Sequence, residues 1–222
     1  MKLKQNNTIK NISGSSLDEM SAKPPKHGNV MLIYPNMVSE AYVPLTTIAA
    51  VMEDEGHNVT AMVNTFRNPF DVDDYIKRIK RKKIDIVGIS SMTYMILRTY
   101  KLIKALKNEG CYVMLGGPHP SDCPEEGIEA GADVVVRGEG EKTIVELCRY
   151  WNGDPDISMA EIKGISYKTI GGEICTTFPR DRIRDLDILP SPELKIFNDD
   201  IEFFTQPDGL VKGLHRVFTS RG

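Results

Sequence analysis

Short apolar runs alternate with amphipathic segments along the middle of the sequence. The runs that predict buried strands are Asn29–Tyr34, Val59–Val63, Ile84–Ile89, Tyr112–Leu115 and Asp133–Val136. Segments with apolar residues at helical spacing lie between and after them. Continuous apolar strands joined by short crossovers indicate a parallel sheet that is covered on both faces. The sequence therefore predicts an α/β fold with a doubly wound, five-stranded parallel sheet over residues 29–153.

Residue types at the segment ends predict where the helices begin and end. Pro44 suits the first turn of a helix that Gly56 ends. Asp71 opens the second helix and Lys83 closes it, an order that complements the helix dipole. Thr93 is expected to cap the third helix. Buried apolar positions are predicted at Leu97, Tyr100, Ile103 and Leu106 in the third helix, and at Ile144, Leu147, Cys148 and Trp151 in the last.

The pattern changes after residue 153. Two short runs, Ile165–Lys168 and Glu173–Thr176, flank a Gly-Gly turn and predict a β-hairpin. A stretch rich in Pro and Asp follows, which is typical of a linker on a surface. We therefore expect a disordered polar leader, an α/β domain, a hairpin with linker and the start of a further domain, at residues 1–28, 29–153, 154–210 and 211–222.

Composition narrows the class of protein. Of the 222 residues, 41% are hydrophobic and 27% are charged, as in ordinary globular proteins. A net charge of −3 gives no general attraction to nucleic acid or to an anionic membrane. No apolar run approaches the length of a membrane-spanning helix, so we expect a cytoplasmic protein without either partner. The four cysteines are widely spaced, and neither a zinc site nor a disulfide framework is predicted from them.

Four loops at one edge of the predicted sheet favour a binding site. In a parallel sheet, ligands bind outside the carboxyl ends of the strands. The loops there are rich in Gly, Ser, Pro or Asn, which let a ligand approach the backbone. An ordinary turn explains one such loop, but four together predict a site. The candidate binding residues are Pro35, Asn36, Met37, Ser90, Ser91, Met92, Thr93, Gly116, Gly117, Pro118, His119, Gly138, Glu139, Gly140 and Glu141.

Missing motifs disfavour several kinds of chemistry. The first strand is not followed by Gly-x-Gly-x-x-Gly, and the sequence has neither a Gly-Lys-Ser/Thr phosphate loop nor a nucleophile elbow. Only one histidine, His119, lies at the predicted binding edge. We interpret it as pocket lining in preference to a catalytic base or metal ligand, and we expect His27, His57 and His215 at the surface. No catalytic residue and no metal ligand is assigned.

Five segments resemble the N-terminal cobalamin-binding domain of the cobalamin-dependent radical SAM enzymes. They are Val87–Thr93, Leu115–Pro120, Asp133–Glu141, Gly164–Tyr167 and Asp185–Pro192. The resemblance implies a Rossmann-like, flavodoxin-like fold with cobalamin across the carboxyl edge of the sheet. Its nucleotide tail is then expected near Ser90 and the pair Gly116–Gly117.

The resemblance also has implications for the cobalt. Cobalamin-dependent mutases and methionine synthases carry Asp-x-His-x-x-Gly after the first strand, and the histidine ligates cobalt. Residues 35–40 contain no histidine. The resemblance therefore implies a cobalt with no protein ligand on its lower face, which favours a reduced, nucleophilic cobalt that takes a methyl group from S-adenosylmethionine.

The last residues resemble a segment that precedes the cluster-binding cysteines of that family. Val217–Gly222 would lead into a Cys-x-x-x-Cys-x-x-Cys loop, and the sequence ends before it. The iron–sulfur cluster and S-adenosylmethionine are therefore expected only in a missing C-terminal radical SAM domain. This chain would be a cobalamin-binding module, not catalytic alone, from an enzyme of methyl transfer or related radical chemistry.

Two other functions stay open on the sequence. A stand-alone α/β transferase or nucleotide-binding enzyme would use the same sheet edge, with His119 or Glu139 as a base. An interaction module would use the hairpin and the Pro-rich tail to dock a separate radical SAM subunit.

Overall fold

The computed structural model describes residues 22–37, 43–64, 70–192 and 195–197. Most of the predicted leader and all of the predicted start of a further domain, residues 211–222, lie outside the described residues. Among the described residues, no helix is both long and apolar enough to cross a membrane.

Five parallel strands form the centre of the molecule. They are β1 (Asn29–Met37), β2 (Asn58–Asn64), β3 (Ile86–Ser90), β4 (Tyr112–Gly116) and β5 (Val134–Val136). Their order across the sheet is β2-β1-β3-β4-β5, and each neighbouring pair is parallel. The chain runs outward in opposite directions from the gap between β1 and β3, the kind of point at which α/β sheets bind ligands. The predicted parallel α/β fold is confirmed.

Within the described residues the sheet has seven strands, not the five that we predicted. The hairpin strands β6 (Ile165–Lys168) and β7 (Ile174–Thr176) form as expected, but β6 also pairs antiparallel with β5. The pairing covers the polar backbone edge of β5, which would otherwise be open to other chains. The sheet thus continues past residue 153, although the domain boundaries themselves stay predictions.

Helices cover both faces of the sheet. They are α1 (Val43–Asp54), α2 (Val72–Lys82), α3 (Ile96–Asn108), α4 (Pro118–Asp122), α5 (Pro124–Glu129) and α6 (Glu141–Asn152). One apolar core joins the sheet to α1 and α6, and a second joins it to α2, α3 and α5. Alternate residues of β1 divide between the two cores: Val30 and Leu32 face the first, and Met31 and Ile33 face the second.

The start of α3 differs from the prediction. Thr93 does not cap the helix but opens a 3-10 turn, residues 93–95, whose N-cap Met92 makes no side-chain hydrogen bond. Leu97 is 74% exposed, because the buried stripe of α3 runs one position earlier. That stripe contains Ile96, Thr99, Leu102, Ile103 and Leu106.

Strand β1 continues through Pro35, where we expected it to end. The register with β2 shifts between Tyr34 and Met37, so Pro35 falls in an irregular stretch where its missing N–H breaks no ladder. The buried amide of Asn64 donates to the Pro35 carbonyl at 2.6 Å. Asn64 in turn accepts a hydrogen bond from Tyr75 of α2, so α2 also helps to hold the end of β1.

His57 is buried, contrary to the expectation of a surface histidine. It is 4% exposed, and its ring packs edge-on against Trp151 with the centroids 6.3 Å apart. The chain turns inward at Gly56 after α1, and this turn places His57 beneath α6. The spacing of apolar residues in α1 did not predict that burial.

Candidate functional site

A cavity of about 450 Å³ opens at the carboxyl ends of β3, β4 and β5, on the face covered by α1 and α6. We call it the edge pocket. Strand residues Leu32, Met114 and Val136 contribute its apolar floor, and Leu45, Ile48 and Ile144 contribute helix side chains. Its remaining lining residues are Pro44, Gly88, Ile89, Ser90, Leu115, Gly116, Gly117, Pro118, Ser121, Gly138, Glu139, Gly140 and Glu141.

Gly117 has no room for a side chain. Its φ is +103°, and a Cβ there would lie 2.7 Å from the Ser91 carbonyl oxygen and 2.8 Å from the Ser91 nitrogen. The ends of β3 and β4 are held this close because the Ser91 N–H donates to the Gly116 carbonyl at 2.9 Å. Only glycine meets both the backbone angle and the contact distance.

Gly88 opens the floor of the edge pocket. It lies on the same face of the sheet as Leu32 and Met114, and a Cβ at this position would lie 2.7 Å from the Leu32 side chain. The glycine lets side chains of the two flanking strands close over β3, leaving space above them for a ligand.

Ser121 of α4 joins two glycine loops. Its hydroxyl donates to the Gly117 carbonyl at 2.8 Å and accepts from the Gly138 N–H at 2.9 Å. The loops after β4 and β5 are therefore braced against each other at the mouth of the edge pocket. Sequence reasoning missed Ser121; its only signal was its spacing three residues after Pro118, on the same side of a one-turn helix.

The loop between β5 and α6 carries two carboxylates. The Glu139 carboxylate accepts the Ile183 N–H at 2.6 Å, so it holds the downstream segment as well as lining the edge pocket. Glu141, in the first turn of α6, is 4% exposed. A carboxylate in the first turn suits the positive end of the helix dipole.

The structure brings together eight of the fifteen predicted binding residues. Ser90, Gly116, Gly117, Pro118, Gly138, Glu139, Gly140 and Glu141 line the edge pocket. Of the others, Ser91, Met92, Thr93 and His119 do not line it, and Pro35 lies in β1 with its carbonyl bound to Asn64. For Asn36 and Met37 the described structure covers the strand backbone, and their side chains lie outside it.

Ser91 and His119 are directed toward α3 or α5. The buried Ser91 hydroxyl lies 2.8 Å from the Thr99 hydroxyl of α3. The His119 ring lies beside Tyr100 of α3 and Glu126 of α5. Burial raises the pKa of Tyr100 above its usual range, and so does the hydrogen bond that the Tyr100 hydroxyl donates to Glu126.

Comparison with known proteins identifies the kind of domain. Residues 42–148 match the B12 binding domain family. The uncharacterized methyltransferase PH0819 of Pyrococcus horikoshii is 32% identical over 182 residues, which are 80% of this chain and 38% of that protein. The anaerobic magnesium-protoporphyrin IX monomethyl ester cyclase of Rubrivivax gelatinosus is 26% identical over 147 residues, which are 63% of this chain and 26% of the cyclase.

Solved structures share the fold. The cobalamin-dependent S-adenosylmethionine radical enzyme OxsB, with aqua-cobalamin and S-adenosylmethionine bound, matches with a TM-score of 0.60 and 17% identity over 79% of this chain and 25% of that one. The radical S-adenosylmethionine methyltransferase TsrM from Kitasatospora setae, with cobalamin and a [4Fe-4S] cluster bound, matches with a TM-score of 0.57 and 22% identity over 74% of this chain and 31% of that one. At such identities the likeness concerns the fold alone.

The family match covers residues 42–148, and all lining residues of the edge pocket except Leu32 lie within that range. The predicted resemblance to the cobalamin-binding domain of cobalamin-dependent radical SAM enzymes is confirmed by the family match and by the shared fold. The chain spans less than two fifths of the length of the curated relatives described above.

Proposed function

We propose that the edge pocket is where this chain holds cobalamin, and that the chain serves a larger radical SAM enzyme that transfers methyl groups or carries out related radical chemistry. The observation that carries the proposal is the glycine-lined edge of the pocket, where Gly116, Gly117, Gly138 and Gly140 present backbone without side chains. A flat, bulky cofactor requires this absence of side chains, because its ring and tail must lie against backbone.

The residues present fit such a cofactor. The apolar floor and the α1 and α6 side chains suit burial of an organic ligand, while a few polar groups at the rim fix its orientation. Ser90, Ser121 and Glu139 are the polar side chains best placed at that rim. Bound cobalamin supplies a cobalt centre that accepts and donates a methyl group; the chain's own residues bind and orient it.

The iron–sulfur cluster and S-adenosylmethionine are proposed to be held by a radical SAM domain or subunit beyond this chain. Cys111 and Cys148 are buried while Cys123 and Cys175 are partly exposed, and all four are free thiols. Cysteines so far apart in sequence lack the close spacing of cluster-binding loops. Cytoplasmic location likewise stays a prediction.

The first test measures hydroxocobalamin binding by the full chain. After incubation and gel filtration, we expect the protein to retain the cofactor at one per chain with a shifted visible spectrum. Ile48→Trp, which fills the edge pocket from α1, should weaken binding at least about tenfold by removing space for the ligand. Leu97→Trp is the matched control, since Leu97 is 74% exposed on α3 and does not line the edge pocket.

A glycine pair separates displacement of the loop after β4 from backbone strain at a positive φ. Gly117→Val and Gly110→Val both place a branched residue at positive φ, but a Cβ at Gly110 meets nothing within 4 Å. We expect Gly110→Val to keep cobalamin binding and Gly117→Val to lose it. No cobalamin retained by the unmodified chain, or equal binding in the Trp variant and its control, would contradict the proposal.

A further inference from the structure

A second cluster of ligand-type side chains lies on α4 and α5, outside the lining of the edge pocket. His119 on α4, Cys123 between the helices and Glu126 on α5 place an imidazole nitrogen, a thiol sulfur and a carboxylate oxygen within 4.8 Å of one another. The spacing explains the convergence: His119 and Cys123 are four residues apart, and Cys123 and Glu126 are three apart, so each pair meets across about one helical turn.

The distance between the first two ligand atoms already suits a metal ion. The His119 Nε2 lies 3.4 Å from the Glu126 Oε2. Zn–N and Zn–O bonds of about 2.1 Å in a tetrahedral site place such atoms about 3.4 Å apart. When Nε2 carries a proton, this contact is a hydrogen bond to the carboxylate; a metal ion can take the place of that proton between the same two atoms. The thiol of Cys123 adds a third ligand of the type that zinc prefers.

Neighbouring side chains orient the cluster. The His119 Nδ1 lies 3.3 Å from the Thr93 hydroxyl. When Nδ1–H donates to that oxygen, Nε2 keeps its lone pair directed at the cluster, the arrangement found around metal-bound histidines. The Tyr100 hydroxyl donates to the Glu126 carboxylate at 3.1 Å, which holds the second ligand as well.

We propose that His119, Cys123 and Glu126 bind one Zn²⁺ ion, with a water molecule as the fourth ligand. The site is separate from the proposed cobalamin site, because His119 is directed toward α3 while Pro118 and Ser121 of the same helix line the edge pocket. The His119 side chain is 12% exposed and the Glu126 side chain is 54% exposed, so the ion has a path from solvent. Bound zinc joins α4 to α5 and thereby stiffens one wall of the edge pocket.

The test uses the full chain, purified without cobalamin, and Zn²⁺ alone as the probe. Isothermal titration calorimetry should show one Zn²⁺ per chain. Cys123→Ser, His119→Ala and Glu126→Gln should each weaken binding at least about tenfold, and Thr93→Val should weaken it about tenfold by freeing the imidazole. Matched controls are Cys175→Ser, another partly exposed thiol, and Glu125→Gln, an exposed carboxylate in the same first turn.

A second measurement needs no variant. Zn²⁺ should protect Cys123, and not Cys175, from alkylation by iodoacetamide, as read by mass spectrometry of the unmodified chain. Replacing zinc by Co²⁺ should give a thiolate-to-cobalt absorption band that Cys123→Ser abolishes and Cys175→Ser retains. Lack of stoichiometric zinc binding, or equal effects in the ligand variants and their controls, would overturn the proposal. Cobalamin binding by Cys123→Ser should persist, so failure here is distinct from failure of the cofactor site.

Discussion

His57 shows how one buried side chain can make stability depend on pH. Its ring lies under α6 beside Trp151 and is 4% exposed. Burial lowers the pKa of His57 below its usual range, because the charged ring loses its hydration; the nearby His27 acts in the same direction and Glu55 opposes it. The folded protein therefore resists a proton that the unfolded chain accepts.

The consequence is a loss of stability in mild acid. Above about pH 6.5, the ordinary value for histidine, both states carry a neutral ring and its contribution is fully present. As the pH falls below that value, the unfolded chain gains a proton first, and the free energy of unfolding decreases until the folded pKa is reached. Urea unfolding at pH 7.5 and 5.5 should show a larger decrease for the unmodified chain than for His57→Phe. Equal decreases in the two proteins would show that His57 does not carry the effect.

Residue-level patterns predicted some environments and missed others for a physical reason. Gly116 and Gly117 were found because a strand that ends in glycines permits close approach, a property of the residue type itself. Ser121 and the exposure of Leu97 depend on which neighbour packs against a helix, and periodicity does not contain that information. His57 was misjudged because a single polar residue after a helix carries no signal of burial.

At the scale of elements, one irregular segment ties the hairpin to the edge pocket. Residues 177–183, which we call the strap, follow β7 and run beside α6. The Phe178 carbonyl accepts the Gly164 N–H at 2.8 Å, Arg180 donates to the Thr143 hydroxyl at 2.8 Å, and the Ile183 N–H donates to Glu139. A residue that lines the pocket thus also anchors the strap.

Glu139→Ala should loosen the strap without unfolding the sheet. A hydrogen bond to a charged acceptor contributes about 1.5–3 kcal/mol, so its loss should raise amide exchange at Ile183 about tenfold or more. Hydrogen exchange followed by mass spectrometry, or by NMR at Ile183, measures this. Asp181→Ala, an exposed residue of the same strap, is the control. If Ile183 exchange is unchanged by Glu139→Ala, the carboxylate does not anchor the strap.

Most strands and helices could be predicted from the sequence, because the spacing of apolar residues that marks each of them lies within a few neighbouring residues. The five apolar runs and the two short runs that flank the Gly-Gly turn all form strands. The pairing of β6 with β5 was not predicted, because antiparallel association across about thirty residues leaves no local pattern beyond two alternating strands. Irregularity at Pro35 was missed for a related reason: the residue that holds it, Asn64, is distant in sequence.

In the part of the chain that the structure describes there are two apolar cores, and the segment after α6 adds fully buried side chains to one of them. The core under α1 and α6 includes Met159, Ile162, Ile165 and Tyr167, all of them at most 1% exposed. The core under α2 and α3 is built from residues up to 135, with only partly buried Ile174 added from the hairpin. Several residues that line the edge pocket belong to the core under α1 and α6. The walls of the edge pocket therefore depend on the hairpin residues that complete this core.

A chain shortened at residue 163 should therefore be much less stable than one shortened at residue 197. Losing Ile165 and Tyr167 exposes apolar surface that contributes about 1.5–3 kcal/mol per side chain, and it opens the β5 edge to association with other chains. We expect the free energy of unfolding in urea to fall by at least about 3 kcal/mol in the shorter chain, with increased aggregation in light scattering and weaker cobalamin retention. The chain ending at residue 197 keeps the hairpin, the strap and Ile196, which is 4% exposed in the same core. It should be more stable, aggregate less and retain more cobalamin than the shorter chain. Equal urea midpoints for the two shortened chains would mean that residues 29–153 fold as a domain without the hairpin, and that β6 is an addition to the sheet that contributes little to its stability.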